Sequence, residues 1–166
     1  MSSSSTLYIK ANDNVKIFYT THFGEDSGLD LFFPEDITIN PEEVKKVDLG
    51  ISCEMIEESL VDVKTLKKNS SYESCKINNF GEFIESNKFY FTKKNVCYYL
   101  YAKSSIANTP LILTNNVEIV DSSYRNNIKV YLRNISSKSY TIRRGDSLVK
   151  ICARNLNNFT YELIGF

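Results

Sequence analysis

Apolar residues in this chain fall in short runs, each closed by polar or turn-forming residues. Runs at 7–10, 15–20, 37–39, 46–55, 88–92, 96–101, 128–134, 147–153 and 159–164 are rich in Val, Ile, Tyr and Phe. Several alternate apolar with polar positions at a period of two, which is how a strand with one buried face reads. Many short strands with polar turns between them predict an all-β chain folded as an antiparallel sandwich or jelly roll. The best helix candidate is 41–45, but Asn40-Pro41-Glu42-Glu43 also suits a turn leading into a strand, and the turn is preferred. No repeat of 20 to 50 residues occurs, which excludes a solenoid or propeller.

The chain has 166 residues, the size of a single domain with a substantial core. Forty-two per cent hydrophobic and 24% charged residues are globular values, not those of a disordered tail. Twenty Lys and Arg balance 20 Asp and Glu, so the global positive field of a nucleic-acid wrapper is missing and nucleic acid is not the expected partner. No apolar run approaches the roughly 20 residues of a membrane span, and residues 1–6 lead into neither a basic nor a long apolar stretch. The expectation is an intracellular protein without signal peptide or membrane association, whose sequons at Asn69, Asn134 and Asn158 go unread. Abundant Asn, Lys, Ile and Tyr fit an AT-rich genome; for a viral source the location becomes the virion or the host cell.

Cys53, Cys75, Cys97 and Cys152 are widely spaced and form no CxxC pair, and His22 is the single histidine. Zinc-ligand spacing is therefore absent, and a Ser/His or Cys/His relay has little to build on. Acid-base chemistry falls to carboxylates. The stretch 57–95 differs in texture, with Lys64, Lys67, Lys68, Lys76, Lys88, Lys93 and Lys94 set among Asn and Ser. It reads as an insertion projecting from one domain that spans 1–166, either as a solvated hairpin or as a contact arm for a partner or nucleic acid, its mixed charge suiting a protein better.

Four segments carry candidate chemistry. Ser27-Gly28-Leu29-Asp30-Leu31 sets a glycine before an aspartate at the start of a strand, where backbone can approach a ligand and the carboxylate can point at it. Lys103-Ser104-Ser105 ends a strand with one cation and two hydroxyls, groups suited to phosphate oxygens. The stretch from Thr109-Pro110-Leu111 to Asp121-Ser122-Ser123-Tyr124-Arg125 reads as a hairpin whose tip, at Asn115, offers an amide and backbone groups to a base edge. Asp121 can then hold a sugar hydroxyl and Tyr124 can lie against the sugar. In Arg143-Arg144-Gly145-Asp146 a Gly-Asp turn between strands accounts for the residues without any adhesion function. Each segment alone is an ordinary loop.

In this order the four segments resemble the trimeric dUTP diphosphatase (dUTPase) family. That family shows a small residue-Gly-x-Asp-Leu segment, then Arg-Ser-Ser, then Thr-Pro-Leu-x-Leu-Ala-Asn-Ser-x-Gly-x-Ile-Asp-x-x-Tyr-Arg-Gly, then Gly-Asp-Arg-x-x-Gln. The spacing from Ser104 through Thr109 to Tyr124 matches without a gap. The resemblance spans 27–56 and 96–164 and implies a dUTPase-like jelly roll assembled as a homotrimer, with sites at subunit interfaces that bind dUTP and Mg2+. It further implies that Asp30 organises the metal through water and that Lys103, Ser104, Ser105 and Lys150 meet the triphosphate. Asn115 would read the base, Asp121 would orient the attacking water and the 3′ hydroxyl, and Tyr124 would exclude a 2′ hydroxyl.

The departures carry the functional expectation. Lys103 stands where the family has Arg, exchanging a planar fork for a point charge. Glu118 replaces the glycine beside the base and is a candidate to block the pocket. Asn126 replaces a glycine after Tyr124-Arg125, Ser147 an Arg, and Lys150 a Gln. The sequence also lacks the family's Gly-rich phosphate-closing segment near the C-terminus. Losing one preorganised donor typically costs about 10² to 10³ in rate, so these changes together predict a pseudoenzyme with lost or strongly reduced dUTP pyrophosphatase activity, kept for a binding or structural role. The alternative is an active, divergent dUTP diphosphatase requiring Mg2+.

Overall fold

A computed structural model of the chain describes residues 3–20, 28–62, 83–84 and 89–165; His22, Ser27, Cys75 and the middle of 57–95 lie outside them. In chain order come β1 (Ser3–Ala11), α1 (Asp13–Thr20), β2 (Leu29–Leu31), β3 (Ile37–Ile39), β4 (Val44–Asp48), β5 (Ile51–Asp62), β6 (Phe83–Ile84) and β7 (Phe89–Val96). There follow β8 (Tyr98–Ala102), a 3-10 turn (Ser104–Asn108), β9 (Leu111–Leu113), β10 (Val117–Val120), β11 (Lys129–Asn134), β12 (Tyr140–Ile142), β13 (Val149–Ala153) and β14 (Thr160–Leu163).

The strands form four sheets, in the orders β14-β1-β5-β7-β6, β10-β8-β13-β2, β4-β11-β9 and β12-β3. All pairings are antiparallel except β1 with β14. Inward positions supply one continuous core that includes Leu7, Ile9, Leu31, Phe33, Leu100, Val130, Leu132 and Ile151. In β11 the buried residues Val130, Leu132 and Asn134 alternate with more accessible neighbours, the period of two read from sequence.

Two predicted runs are each two strands. The run 46–55 breaks at Leu49-Gly50, where Gly50 takes a positive φ of 71° and donates its N–H to Asp48 Oδ1 at 2.8 Å. The turn carries the chain from the β4 sheet to the β5 sheet. The run 96–101 breaks at Cys97, between β7 in one sheet and β8 in another. Residues 41–42 are the predicted turn.

The strand expected at 15–20 is wrong: the segment is α1. The Asn12 carbonyl accepts the N–H groups of Val15 and Lys16 and so starts the helix. Val15 and Tyr19 are buried and Phe18 packs against the core, a helical spacing of i, i+3, i+4, while Ile17 faces out. Tyr19 fixes the helix to β2, its hydroxyl accepting the Phe32 N–H at 3.1 Å.

The stretch 109–121 turns back on itself as expected, but its arms do not pair with each other. β9 joins β11 while β10 joins β8, so the segment steps from one sheet to the next. At the edges of 57–95, β5 and β7 run as one ladder from Met55↔Val96 to Asp62↔Phe89, with an ion pair of 3.1 Å between Glu58 and Lys93.

Candidate functional site

The four-stranded sheet sorts the candidate residues onto its two faces. Asp30 lies opposite Lys150, Lys150 opposite Tyr101, and Tyr101 opposite Val117. Partners across a ladder share a face, so Asp30 and Lys150 project together. The next row, Leu29, Ile151, Leu100 and Glu118, faces the other way; its first three members are buried, which sets Glu118 on the core side of the edge strand β10.

The first group gathers around Asp30. Lys103 Nζ donates to Asp30 Oδ2 at 2.7 Å, with both side chains mostly shielded from water. Ser104 and Ser105 open the 3-10 turn just beyond, and Ser105 Oγ donates to the Ser147 carbonyl at 3.2 Å. Ser147 Oγ, at the position where the family has Arg, is buried and has no hydrogen-bond partner among the described residues. Gly28 has a packing role here. A Cβ at this position would stand 2.7 Å from the Ile151 carbonyl oxygen, so glycine lets β2 close against β13.

The second group lies between β10 and the β4-β11-β9 sheet. A cleft of about 350 Å³ is bounded by Glu118, Asp121, Tyr124, Lys46, Lys129 and Tyr131, with Ile119, Val120 and Ile128 as apolar wall. Asp121 is exposed, and its carbonyl accepts the Tyr124 N–H at 3.0 Å, which makes 121–124 a turn. Tyr124 donates its hydroxyl to the Asn127 carbonyl at 2.8 Å, so the ring is held from behind. Burial pushes the Glu118 carboxyl above the usual range, and a hydrogen bond with the Asn115 side chain opposes that rise. Lys46, Lys129 and Tyr131 were missed because they belong to the other sheet and carry no motif; their nearness to Glu118 exists only in the fold.

Within one chain the two groups stay apart. Asp121 follows Val120, the residue paired with Tyr98, whereas Lys103 lies past the far end of β8. At about 3.3 Å per residue that offset is roughly 17 Å. Among the described residues no three His, Cys, Asp or Glu side chains converge as metal ligands. A larger depression of about 810 Å³ elsewhere is lined by Lys10, Asn12, Asp48, Arg125 and Asn127 among others. Its Asp48 already accepts from Gly50 and Asn127, and Arg125 is bonded to Glu54 and two carbonyls, so these groups are satisfied within the chain.

No family model matches this sequence, and no curated protein matches it. Solved structures do match the fold. The dUTPase of Staphylococcus bacteriophage 80alpha aligns with a TM-score of 0.55 at 13% identity, over 96% of this chain and 95% of that one. The dUTPase from phage phi11 of S. aureus also gives 0.55, at 14% identity and the same two coverages. Native EIAV dUTPase covers 91% of this chain and 86% of its own at 16% identity, with a TM-score of 0.46. An 80alpha variant is described with dUpNHpp, and a phi11 variant with a coordinated structural Mg(II) ion. At these identities the likeness establishes the fold: the chain is an all-β jelly roll of the dUTPase type.

Proposed function

We propose that this chain is a nucleotide-binding protein of the dUTPase fold in which hydrolysis of dUTP to dUMP and pyrophosphate is lost or strongly reduced. The observation that carries the reading is the 2.7 Å ion pair between Lys103 and Asp30. A carboxylate that should gather a metal's water shell has a lysine ammonium against it, and a fixed cation there competes with a divalent ion for the same charge. The residues present therefore do not fit magnesium chemistry.

The remaining groups suit binding. Lys103, Ser104, Ser105 and Lys150 offer cations and hydroxyls to phosphate oxygens. Asp121 and Tyr124 line a cleft with space for a base and sugar, and Asn115 reaches its Glu118 from the hairpin tip. Because the two groups lie apart within one chain, the reading requires association of copies, with the phosphate side of one chain meeting the base side of the next in a homotrimer. The stretch 57–95 serves a protein partner, its mixed charge being poorly matched to a uniform phosphate backbone.

A second reading, an active divergent dUTP diphosphatase, draws on the side-by-side placement of Asp121 and Tyr124 at the cleft. Pyrophosphate release from dUTP with Mg2+ separates the two. Turnover should be absent or very slow; robust magnesium-dependent turnover, lost in Asp121→Asn, establishes the active enzyme instead.

A further inference from the structure

Glu118 carries an unmet hydrogen-bond requirement at the cleft. Its Oε2 is buried and has no hydrogen-bond partner among the described residues. A buried acceptor without a donor costs free energy, about 1 to 3 kcal/mol for typical groups, and native proteins seldom retain one without use. The cleft residues nearest in kind, Lys46 and Lys129, contribute charge but no hydrogen bond to this oxygen. Glu118 lines the cleft, so a donor on an occupant can meet this carboxylate once the side chain turns toward it.

We propose that the cleft takes a nucleotide of the cytosine class, whose exocyclic amino group donates to Glu118. This rests on the nucleotide-binding reading above and narrows its ligand. The chemistry discriminates between the two pyrimidines at one edge. Uracil presents a carbonyl oxygen where cytosine presents the amino group, so the carboxylate would face another acceptor. Uracil's single ring N–H is flanked by two carbonyls, which repel the second carboxylate oxygen. The cytosine amino group directs one N–H away from the ring acceptor, toward the C5 side, where a carboxylate can meet it unopposed. Carboxylates pair with this amino group in nucleic-acid recognition for the same reason.

The rest of the cleft suits such a ligand. Val120 and Ile128 with the Tyr124 and Tyr131 rings give apolar surface for a flat base, and the volume lies at the small end of ligand sites. Lys46 and Lys129 offset Glu118 and Asp121, so the cleft does not repel a phosphorylated ligand. The glycine-to-glutamate difference then exchanges one base preference for another, where the sequence alone suggested a block.

The test is calorimetric titration of the full chain at about pH 8 with Mg2+, using the hydrolysis-resistant α,β-imido analogues of dCTP and dUTP. The wild type should bind the dCTP analogue at least about tenfold more tightly. Glu118→Gly should weaken dCTP binding and bring the ratio to within about twofold. Glu118→Gln, which keeps the side-chain size and offers both a donor and an acceptor, should also level the two ligands. Equal or tighter binding of dUTP by the wild type overturns the base assignment and leaves the nucleotide-binding reading standing. A dCTP preference that survives both substitutions likewise overturns it. Binding of neither analogue overturns both readings.

Discussion

At the residue scale, Glu118 and Asn134 show two outcomes for a polar side chain on a buried face. Asn134 is fully buried and satisfied: Nδ2 donates to the Ile39 and Lys138 carbonyls, and Oδ1 accepts from the Ser136 N–H and hydroxyl. The same burial makes its sequon unreadable in the folded chain. Asn134→Ala strips partners from several groups at once and should cost about 2 to 4 kcal/mol, read from the urea midpoint. Glu118 is the unsatisfied case. Its folded pKa lies above the unfolded value, so stability is lost as pH rises through the carboxylate range and stays lost above it. Glu118→Gln removes that loss. The variant should be more stable than wild type at about pH 8 and indistinguishable from it at about pH 3.5, where both states are protonated. An equal gain at both pH values would show that charge is not the cause.

Among the elements, β2 and α1 differ in what holds them. β2 is three residues long and positions Asp30 through its ladder with β13. Gly28→Ala places a methyl against the Ile151 carbonyl, and that backbone cannot give way as a side-chain tip would. The strain should cost about 1 to 3 kcal/mol and loosen the Asp30–Lys103 pair. A melting temperature unchanged by the substitution would mean that β2 is not fixed by this approach. The helix α1 is gripped by the C-terminal part of the chain: Tyr161 donates to the Tyr19 carbonyl at 3.0 Å, and the Arg144 guanidinium lies 4.9 Å from the Phe18 ring centre. These contacts explain why residues with strand propensity remain helical.

For the whole molecule, the proposed pooling of two half-sites is a statement about assembly. Light scattering at micromolar concentration should give three copies, and a monomer would remove the physical basis for a shared site. The outer face of the four-stranded sheet leaves Val117 and Ile119 exposed beside the Tyr99–Tyr101 ring pair, apolar surface available for such association. Joining Asp62 to Phe89 through Asn-Gly would cap the β5–β7 ladder at its last described pair. The shortened chain should fold, with an unchanged oligomeric state. Wholesale unfolding would show that the excised residues belong to the core.

The all-β class, most strand positions and the turn at 41–42 were legible because they follow from local alternation and turn chemistry, which neighbours in sequence determine. The candidate residues were legible through motif spacing. The helix at 13–20 was not, because Val, Ile, Phe and Tyr favour strands on propensity and only the burial of Val15 and Tyr19 on one shared face selects the helix. Nor could sequence show that Lys103 pairs with Asp30, or that Lys46 and Tyr131 stand with Glu118 around one cleft. Those neighbours come from different strands and sheets, and their meeting depends on register and sheet packing, which long-range burial decides. Residue types supplied the available chemistry; the fold alone determined that one carboxylate is neutralised and another left with an empty acceptor.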